Sequence, residues 1–139
     1  MNGLDTTTGQ TLETMMRFAA ARQALLAHDI ANMSTPGFRA VDVPVDAFQR
    51  SLADAVDAAR EGRSDGLRLE DTDTVRFEGD RVTLEPKPRS ENILFHDRTD
   101  ADGDRILADL AENTLAFRAA AELYRHRTSL LLTAIRERP

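Results

Sequence analysis

Apolar side chains near the start of the chain recur at the spacing of an amphipathic helix. Over residues 11–33 they follow intervals of four and three residues, a heptad pattern with one polar position at Gln23. The pattern predicts a helix that buries one stripe against a partner. Thr35, Pro36 and Gly37 predict its end, because proline disfavours helical angles in the residue before it. The stripe consists of Leu12, Met16, Ala19, Gln23, Leu26, Ile30 and Met33.

The strongest helical pattern lies near the C-terminus, from about Asp104 to Glu137. Its stripe keeps a three–four spacing without a break, and acidic residues precede it, where the helix dipole favours negative charge. At about 1.5 Å per residue this helix would be roughly 50 Å long. A chain of this size cannot cover such a helix alone, so we expect apolar surface that other molecules cover. The stripe consists of Leu107, Leu110, Thr114, Phe117, Ala121, Tyr124, Thr128, Leu131 and Ile135.

Shorter elements are predicted between the two long helices. Apolar spacing over residues 45–59 predicts a short amphipathic helix that closes near Gly62. Residues 67–84 alternate between apolar and polar, and Glu78-Gly79-Asp80 lies where a small β-hairpin would turn. The two prolines of residues 86–88 predict an extended linker.

Together these elements predict a mainly α fold. Long N- and C-terminal helices would pack as a coiled-coil-like pair, with a small mixed middle segment that holds a short helix and a possible β-hairpin. The predicted divisions are residues 1–40 for the N-terminal helix and its Thr-Pro-Gly corner, 41–88 for a variable middle segment, and 89–139 for a linker and the C-terminal helix. An ordinary helical core would explain the same stripes, and the length of the helices favours surfaces completed by assembly.

Composition and charge narrow the classes of function. The 139-residue chain carries a formal net charge of −6 and no cysteine, which argues against a nucleic-acid-binding face, a disulfide framework and a thiolate metal site. His28, His96 and His126 have no second ligand at helical spacing, and no serine or threonine has an evident base and orienting group. We expect no enzymatic activity, cofactor or metal ion. We also expect neither a membrane-spanning segment nor a cleavable secretory signal.

The end of the first predicted helix carries a motif that resembles the signature of a known protein family. The run from His28 to Ala40 resembles the N-terminal signature of flagellar rod and hook proteins. Phe38 and Arg39 stand where that family has tyrosine and lysine, whereas His28 and Asp29 replace the usual serine and asparagine. The positions that match in type are Ile30, Ala31, Asn32, Thr35, Pro36, Gly37 and Ala40.

The C-terminal segment is similar to the same family. Residues 110–118 and 131–135 look like two segments of the proximal rod proteins of the FlgB type. Sister proteins of the FlgC type tend to end differently, so the resemblance favours the FlgB type. The two similarities cover about the first and last thirds of the chain, and residues 67–88 match no family.

The resemblance implies a structural subunit of the bacterial flagellar basal-body rod, which polymerises through its terminal helices and serves as a drive shaft for motility. Members of this family leave through the flagellar type III export apparatus, and their terminal helices are disordered before assembly. The implied partners are further copies, rod subunits of the FlgC, FlgF and FlgG types, and the ring-to-rod adaptor FliE, in a rod that spans the periplasm. The candidate assembly residues are Leu12, Met16, Leu26, Ile30, Asn32, Thr35, Pro36, Gly37, Phe38, Leu110, Asn113, Phe117, Tyr124, Leu131 and Ile135.

Three other readings of the sequence predict different properties. A rod component of the FlgC type would share the same helices. A cytosolic helical-hairpin adaptor would be a compact, ordered monomer or dimer whose loss leaves swimming intact. A small enzyme would need a pocket with convergent polar groups, for which the sequence offers no candidate.

Overall fold

A computed structural model describes residues 3–79, 81–89 and 100–136, with side chains described from Thr6 in the first helix and from Gly103 in the last. Both long helices begin earlier than the sequence pattern predicts. The elements are α1 (Gly3–Asn32), β1 (Val41–Asp42), α2 (Val45–Arg60), β2 (Val75–Glu78), β3 (Arg81–Leu84), β4 (Lys87–Pro88) and α3 (Asp100–Arg136).

The terminal helices α1 and α3 pack side by side and run antiparallel. Near one end the Tyr124 hydroxyl donates a hydrogen bond to the Glu13 carboxylate, over 2.8 Å. Farther along, the Asn113 amide donates to the Ala19 carbonyl, also over 2.8 Å. The predicted mainly α fold, with its terminal helices paired, is therefore confirmed.

Close contact between the helices occurs where α3 begins. A Cβ atom at Gly103 would lie 2.6 Å from the Met33 methyl carbon, a separation that real Cβ atoms essentially never show. Glycine at this buried position therefore allows the residue after α1 to rest directly on α3.

The residues of α3 that face α1 are not all members of the predicted stripe. The structure buries Ile106 and Asn113, whereas Leu107 is 51% exposed and Ile135 is 69% exposed. Leu107 and Ile135, two members of the predicted stripe, are therefore not covered within the chain. Asn113 must face α1 for its amide to be satisfied, and this rotation turns Leu107 away from α1.

A second, adjacent face of α1 carries the middle of the chain, residues 41–89, which we call the module. The Phe18 ring stacks on the Phe48 ring of α2 with centroids 3.8 Å apart and planes 3° from parallel. Thus α1 contacts both the module and α3. The shared core consists of Phe18, Val43, Phe48, Leu52 and Val75.

The module contains the predicted short helix and hairpin. Helix α2 ends at Arg60, and β2 pairs antiparallel with β3 from Val75↔Leu84 to Glu78↔Arg81. The predicted turn lies at Gly79, while Asp80 is outside the described residues.

The segment predicted as an extended linker takes part in a second small sheet. Lys87 and Pro88 form β4, which pairs antiparallel with β1 through Val41↔Pro88 and Asp42↔Lys87. The module's two ends are therefore held together beside α1.

Candidate assembly surface

The Thr-Pro-Gly corner is a tight turn directly after α1. The Phe38 N–H donates to the Thr35 carbonyl over 3.1 Å, and Gly37 has a φ of +79°. Proline at the second position and a positive φ at the third are the features of a type II turn. Only glycine adopts this φ without strain, so the turn explains Pro36 and Gly37 together.

Side chains of the motif at residues 28–40 connect the corner to the end of α1. The Asn32 amide donates to the His28 carbonyl over 2.8 Å. The His28 ring lies edge-on to the Phe38 ring at a centroid distance of 6.0 Å. Asn32 and Phe38 are half-buried, whereas Thr35, Pro36 and Gly37 are exposed. The motif thus builds a local corner with a free outer surface.

Beyond the corner the chain returns along α1. The Val41 N–H donates to the Asp29 carboxylate over 3.0 Å. Farther back on α1, Arg22 binds the Asp42 carboxylate through two hydrogen bonds of 3.0 and 2.8 Å. The turn therefore reverses the chain and delivers the module to its face of α1.

Asp29 is a buried carboxylate. It is fully inaccessible, and its second oxygen, Oδ1, lacks a hydrogen-bond partner among the described residues. Burial raises the pKa of Asp29 above its ordinary value of 3.8, against the lowering effects of the Val41 N–H and the charges of Arg89 and His28. Keeping this group ionised near neutral pH therefore opposes folding.

Because the folded-state pKa of Asp29 is raised, its contribution to stability is greatest below pH 3.8 and declines as pH rises through the raised pKa. We expect Asp29→Asn to increase the free energy of unfolding at pH 7 and to flatten its pH dependence above 3.8. Urea unfolding at a series of pH values measures both effects. The same change at exposed Asp54 on α2 is the matched control and should alter neither. A lower stability for Asp29→Asn at pH 7 would contradict the expectation.

The pKa of Asp42 is shifted in the opposite direction to that of Asp29. Burial alone would raise the pKa of Asp42, but hydrogen bonds from Arg22 and the Val43 N–H, with the charges of Arg22 and Arg89, lower it below 3.8. Its stabilising contribution is present above pH 3.8 and is lost as pH falls through the lowered pKa.

Arg22, Asp42, Arg89 and Asp109 form one network, which we call the clamp. Arg89 donates to Asp109 over 2.6 Å and to Asp42 over 2.9 Å. Arg22 also lies 3.9 Å from Asp109. The clamp joins α1, β1, the residue after β4, and α3. No pattern in the sequence predicts the clamp, because its members are far apart along the chain and none belongs to an apolar stripe.

The candidate assembly residues divide by exposure. Those on the first helix are largely covered within the chain: Leu12 and Leu26 are buried, and Met16 and Ile30 are half-buried. On α3, Asn113 is buried and satisfied, and Leu110, Tyr124 and Leu131 are half-buried. Phe117 (39% exposed) and Ile135 (69% exposed) present free apolar surface.

Further exposed apolar residues lie on both sides of the α3 face that contacts α1. Leu115, Leu123, Leu130 and Leu132 are each more than half exposed. The signal in the sequence was the run Leu130-Leu131-Leu132, because three consecutive residues point about 100° apart on a helix and cannot share one partner. These residues, with Leu107, Phe117 and Ile135, form what we call the α3 flanks.

An apolar groove separates the start of α1 from the end of α3. It has a volume of about 490 Å³ and is lined by Thr8, Leu12, Leu123, Leu130 and Ala134 among others. Most of its walls are aliphatic, which suits packing against another apolar side chain.

Within the described residues, no group of three or more histidine, aspartate and glutamate side chains is placed to hold a metal ion. His96, one of the three histidines considered, lies outside the described residues. Over the same part of the chain, no helix combines the length and apolar character that crossing a bilayer requires.

Comparison of the chain with protein-family models, with curated proteins and with solved structures gave no match.

Proposed function

We propose that this chain is a structural subunit of the bacterial flagellar basal-body rod, of the FlgB type, which polymerises through its terminal helices. Its neighbours in the rod would be further copies, subunits of the FlgC, FlgF and FlgG types, and the adaptor FliE. In this role it is exported by the flagellar type III apparatus and performs no catalysis. The sequence motif at residues 28–40 supports the proposed family, and the exposed apolar surface of α3 supports polymerisation.

The observation that supports polymerisation most directly is the distribution of exposed apolar side chains. In the described part of the chain, all seven large hydrophobic residues that remain exposed lie on α3. A monomeric protein rarely exposes so many large apolar side chains on one helix. Burying a leucine side chain contributes about 1.5–3 kcal/mol, so a neighbour that covers several of them gains enough to offset the cost of ordering a helix.

The position of the flanks also suits a subunit packed among copies. The module covers α1 on one face and α3 covers it on another, and among the described residues the large exposed apolar side chains lie on α3. With apolar residues on both sides of its α1-facing stripe, α3 can contact one neighbour on each side. Contacts of this kind between non-equivalent surfaces extend into an open polymer when successive rotations do not close a ring.

Polymerisation is tested with a double change on one flank, Leu123→Glu with Leu130→Glu. Both residues are more than half exposed, so the isolated variant should keep its helicity and unfolding midpoint. In a strain that lacks the gene, the unchanged chain should restore swimming and the variant should not. Soft-agar motility and electron microscopy of isolated basal bodies measure the two outcomes.

Ala53→Glu, an exposed position on α2, provides the matched control, because it adds charge away from the proposed contacts. It should swim like the unchanged chain. The proposal is wrong if deleting the gene leaves swimming intact, since no rod can form without its proximal subunit.

Circular dichroism separates the proposal from a helical-hairpin adaptor. An adaptor should show the helicity of two fully formed long helices as an isolated monomer or dimer. A rod subunit should keep the helix pair that α1 and α3 form within the chain, and should gain further helix when rod partners cover the exposed surface of α3.

A further inference from the structure

We propose that the clamp of Arg22, Asp42, Arg89 and Asp109 fixes the axial position of α3 along α1. It acts within one chain, so it holds whether or not the chain joins a rod. Its role is to select one arrangement of the helix pair among several that apolar packing alone would permit.

The geometry of the clamp makes it a rigid reference point. Asp42 lies in β1, which pairs with β4, and Arg89 directly follows β4. The Arg89 N–H donates a hydrogen bond to the Ala40 carbonyl over 3.1 Å. Arg22 donates two parallel hydrogen bonds to the Asp42 carboxylate, which fix the orientation of the two groups as well as their distance. Three of the four members are thereby held on α1 and the module.

Asp109 is the member supplied by α3. It accepts a hydrogen bond of 2.6 Å from Arg89 and lies 3.9 Å from Arg22. The Arg22, Asp42, Arg89 and Asp109 side chains are only 6%, 17%, 14% and 24% exposed, so water replaces a lost partner poorly. Any displacement of α3 that removes Asp109 leaves two guanidinium groups facing one carboxylate.

Apolar packing between the helices is less selective. The facing residues repeat every seven positions and include small ones such as Ala19 and Ala120, both buried. In one direction, a slip of seven residues moves α3 by about 10 Å and places small Ala120 where Asn113 lies. The same slip places Ala116 where Asp109 lies, and the clamp loses its contact with α3.

Electron spin resonance distance measurement tests the proposal on the full chain. Because the chain has no cysteine, Ala24→Cys on α1 and Ser129→Cys on α3, both exposed, give a single labelled pair. The unchanged clamp should yield one narrow distance. Arg22→Met, Asp42→Asn, Arg89→Met and Asp109→Asn together should stay folded, because removing all charges leaves none unpaired, and should yield a second distance or a clearly broadened one.

Arg89→Gln alone covers the case in which the fourfold variant does not fold. It keeps the Arg22–Asp42 pair and releases only the Arg89 arm, so the distance should broaden toward a second population. The exposed pair Glu122–Arg125 on α3 provides the control: Glu122→Gln with Arg125→Met should leave the distance unchanged. A single unaltered distance in Arg89→Gln, and in the fourfold variant if it folds, overturns the proposal.

Discussion

Phe18→Ala is expected to lower the free energy of unfolding by about 3–5 kcal/mol, the range found for removing a buried aromatic ring. Phe18 is 4% exposed and stacks directly on Phe48 at 3.8 Å. The Phe18 ring of α1 packs into the core of the module, so alanine would leave a cavity between α1 and α2. Chemical denaturation followed by circular dichroism measures the loss.

Phe117→Ala is the matched control for this prediction. The chemical change is the same, but Phe117 is 39% exposed on α3, so it should cost less than half as much. Equal losses at the two positions would show that the module does not depend on the stacked pair.

Changing Pro36 and Gly37 together to alanine is expected to abolish assembly and swimming. Gly37 has a φ of +79°, which costs a residue with a Cβ atom roughly 1–2 kcal/mol, and alanine at position 36 removes the restriction that stops the helix. If α1 continues past Asn32, the chain can no longer reverse so that Val41 reaches Asp29. The module would lose its place beside α1.

Complementation of a deletion strain, together with hydrogen exchange at the Val41 amide, measures this prediction. Ser34→Ala at an exposed neighbouring position should behave like the unchanged chain. Normal swimming and a protected Val41 amide in the double variant would show that the corner is dispensable.

Local features of the fold were predictable because each depends on nearby residues. The end of α1 follows from Pro36 and Gly37, and the hairpin follows from alternation around Gly79. The helical character of both ends follows from spacing that no other regular structure shares. These signals lie within a few residues of the structure that they specify.

The remaining features depend on partners that are distant in sequence. Phe18 was not assigned a role because a single stripe was sought on α1, whereas α1 packs against two partners. The sequence does not decide the rotation of α3, because Ile106 and Leu107 are equally apolar. The choice between them follows from Asn113 of α3, whose amide bonds to the Ala19 carbonyl of α1. The clamp spans residues 22–109, and nothing in the local sequence marks four ordinary surface-type charges as buried.

The same dependence explains the mixed outcome for the candidate assembly residues. Apolar spacing identified helix residues that contact something, but it could not distinguish contacts within the chain from contacts with another molecule. Leu26 and Asn113 were listed together with Ile135, yet the first two are buried and the third is 69% exposed. Only the packing of α1 against both α3 and the module separates these cases.

The turn between β2 and β3 offers a practical opening for work on living cells. Glu78, Gly79 and Arg81 are all exposed, and two short strands separate this tip from the core. Loop tips of this kind tolerate inserted sequence well. A small epitope or fluorogenic tag placed there would report where each copy resides while leaving both chain ends unmodified.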